Sequence, residues 1–195
     1  MRASRTAGAA LTTVVGLALL GTAPATATDS GAVLAAGHGT STPTAPAPPA
    51  QMAELDFLLG DFVCSYTDYI SGTPTTATVW WKTRKTLDGH YYEMSLSGHE
   101  PPFEGRWVFG WNPVDAEYVS FYWDTWGNTG APVSTGWDED GSLTFQGPYA
   151  AYGERVLSMD RFRVVDADHY TDQAYIRSSE SDPWQQISDV DCRRL

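Results

Sequence analysis

Every aromatic side chain in this sequence lies beyond residue 56, and most fall in short runs cut off by Gly, Asp, Asn or Pro. Trp80-Trp81, Tyr91-Tyr92, Trp107-Val108-Phe109-Gly110-Trp111 and Phe121-Tyr122-Trp123 are the clearest. A long helix would space its apolar residues at i, i+3, i+4 and i+7. Period-two alternation in runs this short instead marks strands with one ring-lined face. Eight Trp, ten Tyr and seven Phe in one β structure supply enough ring surface to line an interior pocket for an apolar ligand.

The 195 residues divide by composition. Arg2 and Arg5 precede an uncharged run of small and apolar residues from Ala7 to Leu20, and Ala25-Thr26-Ala27 offers an A-x-A cleavage site. Residues 1–27 are therefore expected to be a secretory signal peptide, its apolar run too short for the ~20 residues of a membrane span. A retained signal anchor is the alternative. Residues 28–50, rich in Pro, Ala and Thr, have no bulky side chain to bury and are expected to be a disordered linker. Residues 51–195 form one domain, long enough to fold on its own core without a metal. All but Asp29 of the 24 acidic residues, and all but Arg2 and Arg5 of the 12 basic ones, fall there, leaving 23 against 10 and a formal charge of −13. Such a domain repels nucleic acid and anionic lipid, so neither is expected as a partner, and no stable membrane insertion is expected after signal cleavage.

Within the domain, Met52, Leu55, Leu58 and Leu59 have helical spacing and predict one or two turns ending at Gly60. Nine or ten strands follow, separated by turn signals such as Asp88-Gly89, Asn112-Pro113, Asp140-Gly141 and Asp166-Ala167-Asp168. Hairpins without intervening helices predict an all-β fold, an up-and-down antiparallel barrel of about eight to ten strands, with a sandwich as the alternative. Cys64 lies in the first predicted strand and Cys192 in the last. These strands are neighbours in a closed barrel, so a Cys64–Cys192 disulfide is expected in an exported protein, the alternative being two buried thiols.

Charged residues fix the strand faces, because side chains alternate. Lys82 and Arg84 outside put Val79, Trp81 and Thr83 inside. Glu93 outside puts Tyr92, Met94 and Leu96 inside. Glu104 and Arg106 outside put Trp107, Phe109 and Trp111 inside. Val119, Phe121 and Trp123 share a face assigned inward, against Tyr118, Tyr122 and Asp124. Arg161 and Arg163 outside put Phe162 and Val164 inside, and Tyr170, Asp172, Ala174 and Ile176 share an inward face. The expected ligand wall is thus Tyr66, Trp81, Trp107, Phe109, Trp111, Phe121, Trp123 and Tyr170.

The lead Leu55-Asp56-Phe57-Leu58-Leu59-Gly60-Asp61-Phe62, entering an aromatic-rich meander, resembles the calycin group: lipocalins, fatty-acid-binding proteins and nitrobindin-like proteins. Phe62 stands where that group's Gly-x-Trp element has tryptophan. The lead is also similar to that of small actinobacterial proteins beginning LDFLLGxW. The resemblance implies a barrel that holds apolar small molecules. Nitrobindin-like members hold haem through a histidine, but His38, His90, His99 and His169 fall in the linker or beside turns. No haem, other cofactor or metal is expected.

No Gly-x-Ser-x-Gly elbow, phosphate-cradling loop or HExxH occurs. Asp138-Glu139-Asp140-Gly141 reads as a solvated turn rather than a calcium loop. Asp172, an inward carboxylate among rings, must be hydrogen-bonded or titrate high. It and Tyr92 are the candidate catalytic residues, with a packed structural role as the alternative for each. Three functions are compatible with these residues. A cofactor-independent cyclase, forming rings by cycloaddition on a polyketide-like natural product in antibiotic biosynthesis, would use the shaped cavity as an entropy trap and leave no motif. It is preferred narrowly over a secreted, non-catalytic carrier of an apolar ligand. A structural barrel with a filled interior is the third. An open cavity of ~300–1,000 Å³, lined by Trp81, Tyr92, Trp107 and Trp123, separates the first two from the last.

Overall fold

The computed structural model describes residues 45–195; the expected leader and residues 28–44 of the expected linker lie outside the described residues. Residues 45–49 have no regular structure, and Pro46 O lies 3.0 Å from His90 Nε2. The chain then enters a 3-10 helix, Ala50–Leu58. Met52, Leu55 and Leu58 are its buried residues. They recur every three positions, the period of a 3-10 helix, so one edge of the helix stays in the core throughout.

Eleven strands follow: β1 Gly60–Asp68, β2 Thr75–Thr86, β3 Tyr91–His99, β4 Pro102–Asn112, β5 Glu117–Asp124, β6 Thr129–Gly130, β7 Val133–Ser134, β8 Ser142–Ala151, β9 Glu154–Asp166, β10 His169–Arg177 and β11 Gln185–Arg194. Strands adjacent in sequence pair antiparallel, except β6 and β7, which do not pair with each other and together bridge β5 to β8, and β1 pairs with β11. With β6 and β7 counted as one interrupted strand, this is a closed ten-stranded antiparallel up-and-down barrel, as the alternation predicts. Closure leaves no unpaired sheet edge. Cys64 stands opposite Cys192 in the β1–β11 register, and the two form a disulfide across the closure, 128 residues apart in sequence.

Two local departures have physical causes. The sequence suggests that β8 stops at Gly147, because Pro148 has no N–H for a ladder. The strand instead runs to Ala151, since Pro148 and Gly147 face the Ala131-Pro132 break between β6 and β7. The approach there is close: a Cβ on Gly147 would lie 2.8 Å from Pro132 Cα. The β8–β9 hairpin then turns on Tyr152 and Gly153, both at positive φ (54° and 81°), the conformation that matches a tight hairpin's twist.

The second departure reverses the facing of β5. Phe121 is 45% exposed and Trp123 47% exposed, so both lie on the outer surface rather than in the ligand wall. Their neighbours take the interior, because directly paired residues share a face: Trp107 pairs with Tyr122, Phe109 with Ser120 and Trp111 with Tyr118. Rings occupy both faces of β5, so its own alternation does not choose between them. Val164 is likewise corrected; it has the parity of Phe162 but is 38% exposed at the end of β9.

The hairpins divide the barrel into two ends. One is packed solid. The 3-10 helix lies across it over Phe62, Phe109, Tyr118, Phe145, Phe162 and Tyr170, all buried in one cluster. Its polar groups anchor the helix: Tyr92 OH donates to Asp56 at 2.5 Å, and the single Tyr118 O–H is shared between Glu54 at 2.9 Å and Gln51 O at 3.0 Å. Arg194 stacks on Phe62, 4.7 Å from guanidinium carbon to ring centroid, and donates to Leu59 O. The other end, bounded by the β3–β4, β5–β6, β8–β9 and β10–β11 connections, is open.

Candidate functional site

The open half of the barrel holds a cavity of ≈ 170 Å³. Its depth is set by the plug of rings below and its walls by inward residues of nearly every strand. Tyr66, Trp81, Trp107 and Asp172, all expected in the site, line it. Four other expected residues do not. Tyr92, Phe109 and Tyr170 are 0–1% exposed in the packed end, and Trp111 meets Tyr118 edge to face with centroids 4.9 Å apart. Alternation gave these four the right face, but it carries no information about depth along the barrel axis. Phe121 and Trp123 are outside. The structure therefore separates Tyr92 from Asp172: the phenol anchors the helix at the closed end, away from the cavity.

Tyr122, Tyr149, Ser158 and Asp160 also line the cavity. Ser158 and Asp160 share the parity of Phe162, so extending the alternation of that strand two and four residues backwards would have found them. Tyr149 lay beyond the predicted end of its strand, and Tyr122 was hidden by the ambiguity of β5. The β10–β11 register shifts between Ala174 and Tyr175, and beyond that bulge Tyr175 and Ile176 both reach the cavity.

A model of the family described as "Protein of unknown function (DUF1579)" matches residues 48–194. The chain belongs to the DUF1579 family. The match covers the barrel and its helical lead. The DUF1579 domain is also similar in fold to the crystal structure of Rv2717c from M. tuberculosis, with TM-score 0.53 and 12% identity over 76% of this chain and 99% of that one. No curated protein sequence matches the chain.

The polar groups of the DUF1579 cavity fall into two sets. Asp124 is fully engaged: it accepts from Tyr122 OH at 2.9 Å, Asn128 Nδ2 at 2.9 Å, Asn128 N at 3.0 Å and Trp126 N at 2.9 Å. It builds the β5–β6 loop. The second set is unengaged. Among the described residues, Asp172 Oδ1, Ser158 Oγ and Trp107 Nε1 are buried without a hydrogen-bond partner. Asp160 pairs with Ala174 and Asp172 with Phe162 in the β9–β10 ladder. The two carboxyls are therefore diagonal neighbours on the same inner face. Burial first, and then the charge of Asp160, push Asp172 well above the usual carboxylate range. Burial raises Asp160 to about 7. Burial also raises the Tyr66 phenol to about 12 and the Tyr122 and Tyr149 phenols further.

Among the described residues, no lysine, arginine or histidine lines the cavity. Arg161 and Arg163 point outward to Asp140, Arg177 pairs with Glu180 and stacks over Trp184, and His169 contacts Asp191 at 2.9 Å. Among the described residues, no group of three or more His, Cys, Asp and Glu is placed to hold a metal, and no helix is long and apolar enough to cross a membrane.

Proposed function

We propose that this barrel is a secreted, non-catalytic binder of a small and largely apolar molecule. The observation that carries the reading is the cavity itself: one half of the barrel is packed solid while the other keeps ≈ 170 Å³ open between rings. A structural barrel would fill both halves, because empty apolar volume costs stability. The disulfide supports an oxidising, extracytoplasmic location.

The cofactor-independent cyclase is the second reading. Asp160 and Asp172 favour it, since a carboxyl that keeps its proton near neutral pH can donate to a substrate carbonyl. Size ranks it second. Sites for drug-sized ligands enclose ~300–1,000 Å³, and a polyketide chain folded for ring closure belongs at the upper end of that range. Scanning calorimetry with indole or tert-butylbenzene tests binding. A ligand at a hundred times its Kd adds ~2.7 kcal/mol and raises the melting temperature measurably. No shift with any compact aromatic compound would overturn the reading.

A further inference from the structure

We infer that the cavity selects an organic cation, a compact amine or quaternary ammonium carrying an apolar group. The inference rests on the proposal that the cavity binds a small molecule, and it names the chemical class.

The charge pattern is one-sided. Glu100, Asp124, Asp160 and Asp172 line the cavity, with no basic side chain among the lining residues. Asp124 is consumed by its own loop and Glu100 is exposed to solvent between β3 and β4, so Asp160 and Asp172 are the spare acids inside. Asp172 is 3% exposed, yet its Oδ1 has no partner among the described residues. A buried, unpartnered carboxyl oxygen facing an open cavity is costly unless something completes it. Among the described residues no basic side chain lines the cavity: Arg161 and Arg163 turn outward to Asp140, Arg177 pairs with Glu180, and Arg194 sits at the closed end. An anionic ligand, such as a fatty acid, would meet two carboxyls and no counter-charge.

The walls point the same way. Trp81 and Trp107 present their indoles to the same cavity, with Tyr66, Tyr122 and Tyr149 around it. Aromatic faces attract a cation within ~6 Å of their centroids, most strongly where water is excluded. Rings and carboxylates together form a cage for a soft, poorly hydrated cation.

Proton balance follows from the pair. Burial favours the protonated form of both carboxyls, raising Asp160 to about 7 and Asp172 well above the usual carboxylate range. The titratable or charged groups around them are Tyr66 on β1, Glu100 between β3 and β4, Tyr122 and Asp124 on β5, Tyr149 on β8, Tyr152 in the β8–β9 turn, Tyr175 on β10 and Asp189 on β11. Burial raises the Tyr66, Tyr122 and Tyr149 phenols, which stay neutral through the relevant range. A quaternary ammonium entering the site displaces a carboxyl proton, which passes to solvent, so its affinity rises with pH. A neutral amine instead takes that proton itself.

The test uses three compounds of one shape and different charge: phenyltrimethylammonium, its carbon isostere tert-butylbenzene, and benzenesulfonate, each titrated against tryptophan emission at pH 7.5. The cation is expected to bind at least tenfold more tightly than the isostere, and the anion at least tenfold more weakly. Asp172→Asn and Asp160→Asn should each remove most of the preference while keeping affinity for tert-butylbenzene, which also reports that the variants fold. Calorimetry of phenyltrimethylammonium in two buffers of different ionisation heat should show proton release. Equal or tighter binding of tert-butylbenzene, or any preference for benzenesulfonate, overturns the inference and leaves the binding proposal standing. Failure of all three to bind overturns both.

Discussion

Asp160 on β9 and Asp172 on β10 stand one diagonal step apart on the inner face of the barrel. Their carboxyls look into a cavity that, among the described residues, no basic side chain lines. Much of this protein's behaviour follows from that pair.

Stability should depend on pH through it. Both carboxyls keep their protons to higher pH in the folded chain than in the unfolded one, where Asp titrates near ~3.9. The folded state thus binds more protons between about pH 4 and the raised values, and stability falls as pH climbs through that window. Asp61 and Asp140 act oppositely. Hydrogen bonds from Arg84 and Ser142 lower them, so their contribution is lost as pH falls through the lowered values. The double variant Asp160→Asn, Asp172→Asn separates the two effects. Its melting temperature should match the wild type at pH 4 and exceed it by roughly 3–8 °C at pH 8. Equal shifts at both pH values would contradict this assignment.

Cys64 and Cys192 close a loop of most of the domain. In the chain-entropy model such a bridge contributes up to ~4–5 kcal/mol, commonly less. Replacing both cysteines with alanine should lower the melting temperature by roughly 5–15 °C and leave the circular dichroism spectrum unchanged. A shift within about 2 °C would show that the β1–β11 ladder holds the closure alone.

Tyr92 provides a control at the closed end. Its hydroxyl donates to Asp56, and the phenol lies in the core rather than in the cavity. Tyr92→Phe should cost about 1–2 kcal/mol in denaturant unfolding through loss of a charge-assisted hydrogen bond. Ligand affinity should stay within twofold. A large loss of affinity at unchanged stability would return Tyr92 to the site.

The contrast between Tyr92 and Asp172 shows what the sequence could reveal. Alternation placed both inside, correctly, because charged neighbours mark the outer face of each strand. Strand order, closure and the disulfide followed from hairpin signals and from the positions of Cys64 and Cys192. Depth did not, since period-two alternation is blind to position along the barrel axis. Packed rings such as Phe109 and Tyr170 therefore looked the same as cavity rings such as Trp81 and Trp107. Strand β5 was misread for a different reason. Its Phe121 and Trp123 are exposed, while Asp124, which looks like a solvent-facing charge, is drawn inward by four hydrogen bonds from its own loop and Tyr122. Asp160 is within reach of the same alternation, two residues before Phe162 on the same face.

Ala174 follows Asp172 by two residues on the inner face of β10, is paired with Asp160 and Ser188, and lines the cavity. Ala174→Leu places three further carbons in open space. Stability should be unchanged or gain up to about 1 kcal/mol, and affinity for tert-butylbenzene should fall at least tenfold. Retained affinity would mean that the ligand binds elsewhere.

A crystal structure of the protein soaked with phenyltrimethylammonium tests the central claim most directly. The predicted result is density inside the barrel, with the ammonium beside the Asp160 and Asp172 carboxyls and within ~6 Å of the Trp81 or Trp107 ring. The contradicting result is an empty cavity, with the compound stacked instead on the exposed rings of Phe121 and Trp123.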